Sequence, residues 1–443
     1  MDLGNDPVFE LFGRWLVSSG ALNRIEAQLG THRRLGIYSL QVVLWLMIWQ
    51  RLQSRATLGQ AVQQLVQGAG WSLLPPCKRV REGRISASPG GYCQSVKKMS
   101  KLVPQQVTRE IVEQLSKTIG EPWPGLPGPV YLLDGSSLQL PHTRGLTRAY
   151  PPSGNQHGES HWPILRLVVM HDVSSGLALY PQWGPMNGDR AVSEQGLAAA
   201  AMDDLPPGSV VVGDRNFGVF SVAWEAQQRQ HGVLLRLTKP RAVKLFGGPI
   251  AREGDFPVEW KPSSYDQKQV TRWPREAKLE GRLIAVRVGR GRSKQWLYLI
   301  TTLDLPVAKI VELYGQRWNI ETDLRSLKRT VHLNQIAAHS KDGMEKELLA
   351  AISAYNLVRA VMCLAARRAG IAPRRLSFTQ VLNVVSNAWP RLIAAETKQD
   401  HDAEFERVLD WAAACKLPRR RKRRSYPREV WGRGYRFPSR KTK

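Results

Sequence analysis

The stretch Tyr314–Lys328, YGQRWNIETDLRSLK, sets a tyrosine, two arginines, a glutamate and a lysine at intervals of three, four, four and three. At about 100° per residue, a helix would gather Tyr314, Arg317, Glu321, Arg325 and Lys328 within an arc of about 80°. Leu313, Ile320, Leu324, Leu327 and Val331 fall on a neighbouring arc, so an apolar stripe would run beside the charged one. Two readings compete. One is a surface helix whose Arg–Glu pairs each add a few tenths of a kcal/mol, on the order of 0.3. The other is a glutamate that binds metal, flanked by cations that hold phosphates.

Two further acids bear on the choice. Asp134 follows the apolar run VYLL and Asp214 follows SVVVG, each at or near the end of an expected strand. A buried carboxylate is costly unless it is paired, hydrogen-bonded or bound to metal. Each could instead cap a turn, since DGS and GDRN are turn-like. With Glu321 they make a candidate acidic triad of the hard oxygen ligands that suit Mg²⁺. Two such ions, about 4 Å apart, could activate a water and stabilise the leaving oxygen of a phosphodiester. The cations around Glu321 would then clamp the DNA backbone.

These residues must be held by elements, and the periodicity along the chain indicates which. Residues 1–120 read as helices, either a helix–turn–helix unit or a plain bundle. EPWPGLPGP, with four prolines and two glycines in nine residues, is the clearest boundary. From 126 to 239 the pattern becomes strand-like. Three successive strands are expected over PVYLLDGSSLQL, PILRLVVMHDV and GLALYPQW, followed by helix, strand, helix and strand. That element order is the order of a ribonuclease-H-like α/β core. Residues 240–293 read as a β-rich insertion, and 294–395 as the second part of the core, carrying the Glu321 helix. Residues 396–443 end in a basic tail.

The 443 residues include 64 Lys and Arg against 37 Asp and Glu, a net charge of +27. Residues 416–443 hold 13 basic residues and one acid, +12 of that total, so the body is basic as well. A polyanion, most commonly nucleic acid, is the partner such a balance points to. The four cysteines lack zinc-ligand spacing and fit thiols in a reducing compartment. No apolar run reads as a membrane span, and the N-terminus has no signal-peptide pattern. The expectation is a soluble cytoplasmic protein.

On these residues the sequence resembles the DDE transposases of bacterial insertion sequences, specifically the insertion-sequence-4 group. That group carries Tyr, two residues, Arg, three residues, Glu, six residues, Lys, which Tyr314, Arg317, Glu321 and Lys328 meet in full. DGSSLQL and GDRNFG match its first and second aspartate regions, and the separations of 80 and 107 residues are compatible with it. The resemblance implies that Asp134, Asp214 and Glu321 bind two Mg²⁺ ions, with Mn²⁺ able to substitute. It also implies that the substrate is double-stranded DNA, both the element's inverted-repeat ends and the target, held by a homodimer in a synaptic complex. The implied reaction nicks the end, forms and reopens a hairpin, and joins the freed 3′-OH to target DNA. Some members stack a flipped base on a tryptophan, and Trp296 matches that position; the alternative for Trp296 is a strand-core aromatic. With Tyr314, Arg317, Arg325 and Lys328, Trp296 completes the expected DNA contacts. Localisation near a prokaryotic nucleoid follows from the same resemblance.

Other residues carry less. His142, His157, His161 and His171 are spaced by 15, 4 and 10 across a loop and a strand, poorly suited to one metal. Asp189 and Asp204 read as turn or cap residues, and Arg215 and Asn216 as neighbours that orient Asp214 or touch DNA. Two alternatives to a transposase are a non-cleaving DNA-binding protein of the same fold and a host nuclease without strand transfer.

Overall fold

Residues on either side of the Glu121–Pro129 segment take different structures, helical before it and sheet-forming after it. The computed structural model describes residues 36–418 except 54–55, 69–72, 156–157, 270–272, 275, 290–293 and 396, together with residues 24, 25 and 27. His157 and the basic run 419–424 of the tail therefore lie outside the described residues.

Among the described residues, five helices precede the sheet: α1 (Leu40–Leu52), α2 (Leu58–Val66), α3 (Lys78–Arg81), α4 (Gly90–Lys98) and α5 (Leu102–Ile119). Ser39 caps α1 by accepting from the Val42 amide, and Thr57 with Gln60 closes a capping box on α2. The sheet region then runs β1 (Val130–Gln139), α6 (Arg144–Ala149), β2 (Gly154–Asn155), β3 (Gly158–Glu159), β4 (Ile164–Asp172) and β5 (Gln182–Pro185). It continues with α7 (Glu194–Met202), β6 (Val210–Gly213), α8 (Phe220–Gln228), β7 (Gly232–Leu237) and α9 (Lys239–Phe246). Next come β8 (Gly254–Trp260), α10 (Ser264–Gln269), β9 (Leu279–Val288) and β10 (Gln295–Thr301). The helices α11 (Val307–Gly315), α12 (Trp318–Arg325), α13 (Lys341–Arg368), α14 (Phe378–Ala394) and α15 (Lys398–Ala414) complete the described chain.

Eight strands form one mixed sheet in the order β5-β4-β1-β6-β7-β10-β9-β8. β1, β6 and β7 are mutually parallel, and every other neighbouring pair is antiparallel. The β8–β9 hairpin, from the segment read as an insertion, extends the sheet beyond β10. β5 departs from expectation: it is four residues long and starts at Gln182, whereas the alternating pattern predicts a strand from Gly176. A lone bridge between His171 and Ala178, together with two side chains, holds this stretch in place of a full ladder. Asp172 Oδ1 accepts from the Ser174 and Ser175 amides and hydroxyls, and Asn356 of α13 pairs with both backbone groups of Ala178.

Alternation along the central strands sorts their side chains onto two faces. Val130, Leu132, Val210, Val212 and Leu234 share a core with Ile310, Leu313, Ile320 and Leu324 of α11 and α12. Tyr131, Leu133, Val211, Val233 and Leu235 share another with Leu197, Ala198 and Ala223 of α7 and α8. A third core joins α1, α2 and α5 to α13, α14 and α15, and reaches Leu165, Leu167 and Val169 of β4. Its centre is α13, 28 residues long and apolar enough to cross a membrane, whose most apolar stretch is wholly buried inside the molecule. The helices before the sheet and those after it thus share one core.

Candidate active site

Asp134 and Asp214 stand side by side because two parallel strands end out of step. The β1–β6 ladder registers Leu132 with Val212 and Leu133 with Gly213, so the next residues outward are Asp134 and Asp214. β6 stops at Gly213, but β1 runs six residues past Leu133, to Gln139, pairing only with β4, in which Asp134 opposes Val169. Asp134 therefore lies in mid-strand, where its parallel partner gives way, and not at the strand end that VYLL-D suggests. Both aspartates continue the even-numbered rows of Val130, Leu132, Val210 and Val212, and so face the α11–α12 side. Asp134 Oδ1 accepts from the Gly135 amide at 2.8 Å, and Asp214 Oδ1 accepts from the Asn216 amide at 2.8 Å. Burial pushes the Asp134 carboxyl up to about 6; the Gly135 amide opposes this, Asp214 adds to it, Arg317 opposes it, and Glu194 adds to it.

The segment Tyr314–Lys328 is not the single helix its spacing predicts. α11 ends at Gly315, and the amides of Gln316, Arg317, Asn319 and Ile320 each bond back three residues. α12 follows, and Ser326–Thr330 form a π-helical turn in which the Val331 amide reaches Ser326 O at 3.0 Å. These tighter and wider turns break the 100° periodicity, so the five residues take separate stations. Tyr314 on α11 is buried, its hydroxyl pushed up by burial, with the charges of Arg317, Arg236 and Asp214 bearing on it. Arg317, at the head of α12, donates to Glu321 Oε1 at 2.9 Å and lies over the Trp318 ring at 4.8 Å. The Arg317 side chain is 10% exposed and that of Glu321 42%, so solvent reaches the acid. Lys328, in the π turn, donates to Ser136 Oγ at 3.0 Å and Ser137 O at 3.1 Å, tying the turn to β1 just past Asp134. Partial burial holds its ammonium below the usual lysine range. Arg325 is exposed.

Trp296 is placed elsewhere. It lies on β10, three strands from β1, and packs with Tyr298 into the α7–α8 core, on the face opposite the two aspartates. Its ring stacks on Tyr298 at 5.8 Å between centroids and carries the Arg287 guanidinium at 4.8 Å. His171 is buried beside Tyr355, while His142 and His161 are exposed and stacked on each other at 4.4 Å. Asp204 pairs with Arg109, and Asp189 sits in a turn.

Among the described residues, no three His, Cys, Asp or Glu side chains converge closely enough to hold one metal ion as placed. The chemistry of the acids nevertheless fits a hard divalent cation. Asp134 and Asp214 share a face at the mouth left by β6, and the burial that chiefly raises the Asp134 carboxyl is a cost that a bound cation would offset. Glu321 stands on α12, over the same face, engaged by Arg317.

Two features escape sequence reasoning. Glu194, the first residue of α7, accepts from Asn216 Nδ2 and bears on Asp134 by its charge. Asp323, two residues past Glu321 and fully buried, pairs with Arg359 of α13 and with Arg374 at 2.9 Å. The partners of each are distant in sequence, so spacing gives no sign of either.

Comparison with known proteins bears on the family of the chain. Residues 125–357, more than half the chain, match the family described as Transposase DDE domain. The chain is 23% identical over 448 residues to the transposase InsG for insertion sequence element IS4 of Escherichia coli (strain K12), covering 98% of this chain and 92% of that protein. It is also similar to a cryo-EM structure of the piggyBac transposase synaptic complex with hairpin DNA, at 11% identity and a TM-score of 0.42, covering 91% of this chain and 84% of that one. The chain belongs to the transposase DDE-domain family.

Proposed function

We propose that this protein cuts DNA at the ends of an insertion sequence and joins the freed 3′ ends to target DNA. The observation that carries the reading is the pairing of Asp134 and Asp214, 80 residues apart in sequence, at the mouth between β1 and β6 under the helix that bears Glu321. Five strands, β5-β4-β1-β6-β7, with the helices α7 and α8 between the later ones, have the element order of a ribonuclease-H-like core and support that fold.

Asp134, Asp214 and Glu321 would hold Mg²⁺, or Mn²⁺ in its place, with two ions per site. Such ions, when bound, supply an acidified water and charge stabilisation for the leaving oxygen. The residues of the chain contribute the rest. Arg317 holds Glu321 until a competing cation or phosphate draws one of them away. Arg325, exposed on the same helix, and Lys328, next to Asp134 on β1, offer cations to the phosphates flanking the cut. Tyr314, buried on α11 with the Asp214 charge bearing on it, would form part of the wall of the mouth. Residues 1–120 and the basic C-terminal region would add sequence-independent affinity for duplex DNA, and a homodimer would pair the two ends. For Trp296 the surroundings favour strand packing, because its ring faces away from the carboxylates.

The test uses purified full-length protein, Mg²⁺ and a labelled duplex carrying the element's own end with flanking DNA. A nick followed by a hairpin on a denaturing gel is the expected result. Asp134→Ala, Asp214→Ala and Glu321→Ala should each reduce cleavage by 10³-fold or more, on the order expected for loss of a catalytic metal ligand, while end binding persists on a native gel. A salt-sensitive shift without any cleavage by the wild type would favour a binding-only protein.

A further inference from the structure

Glu194 stands beside the proposed site, and the chemistry above makes no use of it. Ser193 caps α7, accepting from the Gly196 amide at 2.9 Å, and so sets Glu194 at the first helical position, where an anion is favoured. The carboxylate then reaches the neighbours that hold each aspartate. On one side Oε2 accepts from Asn216 Nδ2, and the Asn216 amide in turn donates to Asp214 Oδ1. Gln195 reinforces the same residue, donating to Asn216 O at 2.9 Å and Oδ1 at 3.1 Å. On the other side the carboxylate fills the space over Gly135: a Cβ there would lie 2.6 Å from Oε1 and 2.8 Å from Oε2. Gly135 is also the residue whose amide holds Asp134 Oδ1.

We propose that Glu194 is a positioning residue, resting on the function proposed above, that clamps the Asp214 turn against β1 and fixes the spacing of the two aspartates. An ordinary surface bond between Glu194 and Asn216 would not require position 135 to lack a side chain. The clamp does, because the carboxylate reaches Asn216 by crossing Gly135. A charged acceptor makes the stronger bond, but an amide oxygen in the same place can also accept from Asn216.

The experiment compares Glu194→Ala, Glu194→Gln and Gly135→Ala in the full chain. Two readouts are taken on metal-free and DNA-free protein: thermal melting, and amide exchange across residues 214–217. Two more are Mn²⁺ affinity by titration calorimetry and the cleavage rate at saturating Mg²⁺. With melting unchanged, Glu194→Ala and Gly135→Ala should each speed exchange at the turn, weaken Mn²⁺ about tenfold and slow cleavage about 10²-fold, as small misplacements of reacting groups do. Glu194→Gln should remain within about threefold of wild type. Glu194→Ala matching wild type in exchange, or Glu194→Gln as impaired as Glu194→Ala, overturns the clamp. A wild type that neither binds Mn²⁺ nor cleaves sinks the function proposed above, and the exchange arm still decides the clamp.

Discussion

At the scale of single residues, Asp134 shows how the site trades stability for charge. In the unfolded chain it ionises near 3.8, and in the folded protein at about 6. Between those values the folded state holds a proton that the unfolded state has lost, so stability falls as pH rises through this window. Asp134→Asn should therefore stabilise the metal-free protein at pH 7.5 by about 1–3 kcal/mol and leave it unchanged below about pH 3.5. Denaturant melts at the two pH values measure this, and an equal effect at both would contradict the assigned ionisation. The three acids themselves are legible in the sequence, because each sits in a short motif: VYLLD, VVVGD and the Tyr–Arg–Glu–Lys spacing. Glu194 is not, because what marks it is Gly135, 59 positions upstream, and Asn216, 22 positions downstream.

At the scale of elements, strand alternation predicts most of the sheet, since apolar runs of four or more residues have few other solutions. The short β5 and the broken helix near Glu321 escape it. In both places side chains or altered backbone bonding replace the regular ladder, and the replacing partner lies far along the chain or in the backbone itself. The broken helix is held by Asp323, whose carboxylate sits among Arg359, Arg374 and His171 in full burial. Its charge is kept ionised, against the effect of burial, by those two guanidinium groups above all. Asp323→Ala would strand the buried Arg359 and the partly buried Arg374 and should destabilise the protein by about 3–5 kcal/mol, the usual cost of breaking a buried pair. The replacement of Asp323 and Arg359 together by apolar residues should recover part of that loss. A double variant no more stable than Asp323→Ala would show that packing, and not the stranded charge, sets the cost.

At the scale of the whole molecule, the proline-rich Glu121–Pro129 segment is a boundary of architecture more than of stability. α13 packs on α5 and α1 as well as on α14 and α15, and the buried side chains of all five belong to one cluster. A fragment beginning at residue 121 would expose that face of α13, including Leu349, Ala350 and Ser353. Such a fragment should fail to give a cooperative thermal transition in calorimetry, and restoring residues 1–120 should recover it. A soluble, cooperatively melting fragment would mean that the two regions fold apart. Helix periodicity marks each of these helices in the sequence but not the shared core, because packing partners more than 200 residues apart leave no local pattern.

The anchoring of α12 also gives the site an order of assembly. Asp134 and Asp214 are brought together by strands complete at residue 213, while Glu321 hangs on a helix whose buried acid is neutralised by Arg359 and Arg374. During synthesis, a chain still short of Arg374 would display the aspartate pair without a secured glutamate. On the function proposed above, such a nascent chain would lack the complete acidic set until Arg374 emerged from the ribosome.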